Sequence, residues 1–127
     1  MADPCDPCAV VAASAITLAP ILSQNVTITG LTIRGGRGTY NPAATDPNES
    51  FRRGGGIFGT HSDGVTISRS RIIGNSAELG GGVYFYKCNN VTITECTISE
   101  NTLDFDSGQS GGSVRFNDCH GLSFTNN

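Results

Sequence analysis

Phe58, Tyr84 and Tyr86 lie in two segments of matching shape, Ile57-Phe58-Gly59-Thr60-His61 and Val83-Tyr84-Phe85-Tyr86-Lys87. A third segment, Val114-Arg115-Phe116-Asn117-Asp118, places Arg115 where the others carry Phe58 and Tyr84. Aromatic faces beside cationic and carboxylate groups are what a sugar-acid chain would use, with stacking for the ring and charge for its carboxylate. Phe58, His61, Tyr84, Tyr86, Lys87, Arg115 and Asp118 are therefore the candidate substrate-binding residues. The bland alternative is surface decoration of a strand, for which Tyr and Phe have ordinary propensity.

Catalysis is harder to assemble. A glycosidase needs two carboxyls facing each other across a bond, roughly 5 to 9.5 Å apart. Asp63 and Asp118 are the acidic pair near these segments, and the repeat described below separates their backbones by about 10 Å. No catalytic residue is assigned. A calcium-dependent lyase would need several clustered oxygens, to which Asp104 and Asp106 could contribute. Otherwise no cofactor is expected.

Cys88 and Cys119 occupy equivalent places in successive segments, with Ser62 in the one before. Stacked about 5 Å apart they suit a disulfide, and equally two reduced thiols packed in a core ladder. Cys96 has the phase of a small core residue. Cys5-x-x-Cys8 has only prolines and aspartates around it and no second such pair, so no zinc site is expected.

The elements that would position these groups form a repeat. Three glycine clusters align: Gly54-Gly55-Gly56-Ile57, Gly80-Gly81-Gly82-Val83 and Gly111-Gly112-Ser113-Val114. Each is followed at a constant distance by Val65-Thr66-Ile67-Ser68, Val91-Thr92-Ile93-Thr94 or Leu122-Ser123-Phe124-Thr125, and Val26-Thr27-Ile28-Thr29 is an earlier copy. A second apolar pair ends at Ile33, Ile72 and Ile98, closed by Gly36, Asn75 and Asn101. Gly54 to Asn75 and Gly80 to Asn101 each span 22 residues. Length variation is confined to one point, with insertions at 37–53, 76–79 and 102–110. That is how a solenoid tolerates a bulging turn while each coil still closes.

Alternation turns Val65, Ile67, Ser70 and Ile72 inward, and Thr66, Ser68 and Arg71 outward. Three short strands per coil would make a triangular parallel β-helix of three to four coils, each strand pairing with its equivalent about 4.8 Å along the axis. The expected ladders are Leu18/Ile57/Val83/Val114, Val26/Val65/Val91/Leu122, Ile28/Ile67/Ile93/Phe124 and Ile33/Ile72/Ile98. Asn25, Gly64, Asn90 and Gly121 fall at one corner and tolerate left-handed backbone. Asn75 and Asn101 fall at another, where amides can ladder. A β-sandwich would want strand pairs joined by two-residue turns, and equal phase in all copies disfavours it.

These motifs resemble right-handed parallel β-helix proteins of the pectin-lyase-like superfamily. Gly81-Gly82-Val83 and Ile72-x-x-Asn75 are similar to the GGA(I/L/V) and FxxN repeats of polymorphic outer-membrane proteins, with glycine for alanine and isoleucine for phenylalanine. The resemblance covers residues 15–127, leaving 1–14 as an N-terminal segment or partial coil. It implies an extracellular or outer-membrane-surface scaffold for adhesion or polysaccharide binding. The alternative is a fragment of a polysaccharide lyase or glycoside hydrolase, because the fold hosts both kinds of protein. A third possibility is the outward array Thr27-x-Thr29, Thr66-x-Ser68, Thr92-x-Thr94 and Ser123-x-Thr125, which resembles the faces of ice-binding solenoids.

A net charge of −3 gives no sign of a nucleic-acid partner. Arg34, Arg37, Arg52 and Arg53 gather in the first half and read as solvated surface. No run of about twenty apolar residues is present, so no direct membrane span is expected. The acidic start Met1-Ala2-Asp3-Pro4 does not resemble an export signal. The last coil lacks its second apolar strand, so further coils are expected downstream.

Overall fold

In the computed structural model, residues 16–18, 24–39, 52–103 and 112–127 are described. They build coils of short strands. The first coil has β1 (Ile16–Leu18), β2 (Thr27–Thr29) and β3 (Thr32–Ile33). The second has β4 (Ile57–Thr60), β5 (Asp63–Ser68), β6 (Arg71–Ile73) and β7 (Ser76–Ala77). The third has β8 (Val83–Tyr86), β9 (Asn89–Thr94), β10 (Thr97–Ser99) and β11 (Thr102–Leu103), and the fourth β12 (Val114–Asn117) and β13 (Ser123–Thr125). Each strand pairs in parallel with its equivalent one coil away, in the orders β1-β4-β8-β12, β13-β9-β5-β2, β10-β6-β3 and β11-β7. No helix occurs among the described residues.

The repeat phase sets the register. Ile28, Ile67, Ile93 and Phe124 are direct partners, as are Ile33, Ile72 and Ile98. Ile67, Ile72, Ile93, Val65 and Val83 are fully buried, so alternation delivers the core without a helix or much aromatic mass. One ladder differs from expectation. Ile16, not Leu18, pairs with Ile57, and Leu18 pairs with Gly59. Both are inward, but glycine leaves an empty rung that a neighbour must fill. Phe85 fills it, since a Cβ on Gly59 would lie 2.4 Å from the Phe85 ring. Phe116 stacks on Phe85 in turn, with centroids 5.9 Å apart.

A second difference is the fourth sheet. Ser76–Ala77 and Thr102–Leu103, which the sequence places at the start of the variable inserts, pair in parallel. The coil is therefore four-walled there rather than triangular. Arg53, at the end of the first insert, forms a parallel bridge with Leu79 and an antiparallel one with Thr39.

The corners follow a chemical rule. At two of them His61, Lys87, Asp118, Arg69 and Glu95 are left-handed, and each is succeeded by a serine or cysteine whose side chain donates to the carbonyl two residues back. At one corner these donors are Ser62 to Thr60 (3.1 Å), Cys88 to Tyr86 (3.3 Å) and Cys119 to Asn117 (3.3 Å). At the next, Ser70 donates to Ser68 at 2.8 Å and Cys96 to Thr94 at 3.3 Å. Asn25 and Asn90 adopt φ of 54° and 53°, as expected from their alignment with Gly64 and Gly121. Asn75 and Asn101 form the expected ladder. The Gly36 and Asn75 amides donate to Asn75 Oδ1 and Asn101 Oδ1, each at 3.0 Å. The ladder also crowds the third glycine of the first two clusters, because a Cβ on Gly56 would lie 3.0 Å from Asn75 Nδ2 and one on Gly82 2.8 Å from Asn101 Nδ2.

Candidate functional site

The sheet β1-β4-β8-β12 carries the aromatic segments in the expected register. Phe58, Tyr84 and Arg115 form one row, and Thr60, Tyr86 and Asn117 form the next. Alternation turns the first row away from the core, yet Phe58 is only 5% and Tyr84 only 3% exposed. They pack with Leu79 in a second apolar cluster. The Arg53 guanidinium lies over the Phe58 ring at 4.7 Å and near the Tyr84 ring at 5.9 Å. Arg53 is itself 6% exposed, which corrects its reading as solvated surface. The expectation that Phe58 and Tyr84 offer ring faces to a sugar is corrected with it. A wall residue from the preceding turn covers them, and strand periodicity carries no information about such a cover. The signal was in the alignment: Arg53 precedes its glycine cluster where Leu79 precedes the next, so its stem takes a leucine's place.

The accessible groups gather at the corner after this sheet. Tyr86 is partly buried, and Lys87 Nζ lies 5.2 Å from its ring centroid. His61 meets the same ring edge-on, with centroids 6.0 Å apart. Thr60 Oγ1 and His61 Nδ1 share a hydrogen bond of 2.8 Å, which orients the imidazole. His61, Lys87 and Asp118 take φ of 50°, 52° and 53°, and all three are exposed. A left-handed residue at a coil corner throws its side chain outward, so the three form a rim row. Arg115 lies beside the Tyr84 ring at 6.0 Å, and Asn117 Nδ2 is 3.5 Å from the Tyr84 hydroxyl.

The structure does not bring Asp63 and Asp118 into one row. Asp63 pairs with Asn89, which bridges to His120, while Asp118 belongs with His61 and Lys87. Asp63 Oδ1 accepts a hydrogen bond from Asn90 at 2.8 Å. Asp104 and Asp106 lie outside the described residues, as do Cys5 and Cys8. Among the described residues no three His, Cys, Asp or Glu side chains gather in a way that could hold a metal. Cys88 and Cys119 are free thiols in contact, with the Cys88 amide 3.3 Å from Cys119 Sγ. Burial raises the Cys88 thiol above its ordinary pKa.

The hydroxyl array lies on the sheet β13-β9-β5-β2. Thr27, Thr66, Thr92 and Ser123 align, as do Thr29, Ser68, Thr94 and Thr125. Its hydroxyls bond to each other along the axis, Ser68 to Thr29 at 3.1 Å and Thr125 to Thr94 at 3.0 Å.

Stacked parallel coils with stepwise insertions define a β-helix repeat protein. The sequence profile of the family described as right-handed beta helix region matches residues 14–127, and the chain belongs to that family. Comparison with curated proteins and with solved structures found no match.

Proposed function

We infer that the chain is a β-helix scaffold acting outside the cell, whose corner rim holds an acidic polysaccharide. The observation that carries this reading is Tyr86, a partly exposed ring with the Lys87 ammonium 5.2 Å from its centroid and His61 against its edge. A uronic-acid residue has an apolar ring face for Tyr86 and a carboxylate for Lys87 or Arg115. Asn117, exposed beside Tyr86 in the same row, supplies a polar group for sugar hydroxyls, while the buried Thr60 hydroxyl holds His61 in place. Rows repeat about every 4.8 Å along the axis, so an extended chain lying along the rim meets several coils. Binding is favoured over hydrolysis because, among the described residues, Asp63 and Asp118 do not share a row as the paired carboxyls of a hydrolase would.

Affinity electrophoresis tests this reading, using gels that contain polygalacturonate or the uncharged polymer dextran. Polygalacturonate is expected to retard the protein, less so as salt screens the charges, and dextran to leave it unaffected. Lys87→Ala and Tyr86→Ala should each weaken the retardation about tenfold, equivalent to about 1.4 kcal/mol. Equal mobility in both gels would overturn the proposal.

A further inference from the structure

The corner beneath the rim holds two sulfurs where its turn needs none. Ser62 closes the same turn one coil earlier, donating to the Thr60 carbonyl at 3.1 Å. A hydroxyl is thus sufficient for that hydrogen bond. Cysteines in two consecutive coils add what a turn does not require, a pair of sulfurs in one ladder. The Tyr86–Asn117 pairing on one side and the Asn89–His120 bridge on the other hold residues 88 and 119 in register. Register-equivalent residues on adjacent strands are about 4.8 Å apart, inside the Cα range of about 4.4–6.8 Å for a disulfide. Cys119 Sγ already reaches the lower coil, where it is 3.3 Å from the Cys88 amide and 3.4 Å from the Phe85 carbonyl.

We propose that Cys88 and Cys119 are joined by a disulfide under oxidising conditions, stapling the coil of β8 to that of β12 under the Lys87 corner. The two thiols differ in access. Cys88 is fully buried, whereas Cys119 is partly exposed. A small-molecule disulfide such as oxidised glutathione is attacked first by the Cys119 thiolate, giving a mixed disulfide and releasing one glutathione thiolate. Cys88 then loses its proton to solvent and attacks Cys119 Sγ, which expels the second glutathione thiolate. Two protein thiols and one glutathione disulfide become one protein disulfide and two glutathiones. Cys96 is the internal control, since its equivalents are Ser70 and Asn127 and no sulfur is stacked on it.

The test equilibrates the folded chain in glutathione buffers of increasing oxidation, traps free thiols by alkylation, and maps the peptides. Cleavage after Lys87, Glu95 and Arg115 separates Cys88, Cys96 and Cys119. The expected result is a linked Cys88–Cys119 peptide pair, with Cys96 alkylated once the protein is unfolded. The oxidised wild type should also melt above the reduced form, and Cys119→Ser should abolish that difference. Because serine already serves this turn at position 62, the variant is expected to fold. Full alkylation of Cys88 and Cys119 in every buffer would overturn the proposal. So would linkage of either residue to another cysteine.

Discussion

Asn75 and Asn101 share two hydrogen bonds, because Oδ1 of Asn101 accepts both the backbone N–H and the side-chain Nδ2 of Asn75 at 3.0 Å. Asn75 also donates to the Ile33 and Ile73 carbonyls at 3.0 and 3.2 Å and accepts from the Gly36 amide. With 1% exposure, this amide does for three coils what water cannot.

Asn75→Leu keeps the branched shape, with bulkier ends, and removes every one of these side-chain bonds. Each buried group left without a partner costs about 1–3 kcal/mol. The variant should therefore lose at least about 3 kcal/mol in urea unfolding. A loss below about 1 kcal/mol would show that the ladder is incidental to folding.

The strand phase can be tested at adjacent residues. Ile67 is fully buried between Ile28 and Ile93. Ile67→Asp places an unpaired charge there and should cost several kcal/mol in a domain of marginal stability. Thr66→Asp, on the opposite side of the same strand, should stay within about 1 kcal/mol of wild type. Similar urea midpoints for the two variants would contradict the register.

Much of this was legible in the sequence, and the exceptions share a physical cause. Val-Thr-Ile-Thr recurs at equal phase, and one residue of slip would bury every threonine, so registers such as Ile28–Ile67–Ile93 could be read directly. Leu18 aligns with Ile57 by residue type alone because its partner in the sheet, Gly59, has no side chain to match. The burial of Phe58 and Tyr84 depends on Arg53, which arrives from the preceding turn. Alternation distinguishes the two faces of a strand, but it cannot reveal what crosses over the outer one. The fourth sheet leaves no sign in the sequence because Ser76–Ala77 and Thr102–Leu103 are too short to show a period.

The Gly59 rung yields a paired prediction. Gly59→Ala sets a methyl group 2.4 Å from the Phe85 ring and should cost about 1–3 kcal/mol by overpacking. Phe85→Leu in the same chain removes the ring atoms in the way, so the double variant should lose less than the sum of the single ones. Thermal melts of the three variants provide the check. Strict additivity would mean that Phe85 does not fill the rung.

Polysaccharide binding at the corner rim is tested most directly by where an acidic sugar touches the chain. Amide shifts of the 15N-labelled protein, titrated with an oligogalacturonate, report the contact residue by residue. Shifts are expected to concentrate at His61, Tyr86, Lys87, Asn117 and Asp118, with the amides of Thr27, Thr66 and Thr92 on the hydroxyl face unmoved. Shifts centred on the hydroxyl face, or none at saturating sugar, would contradict binding at the rim.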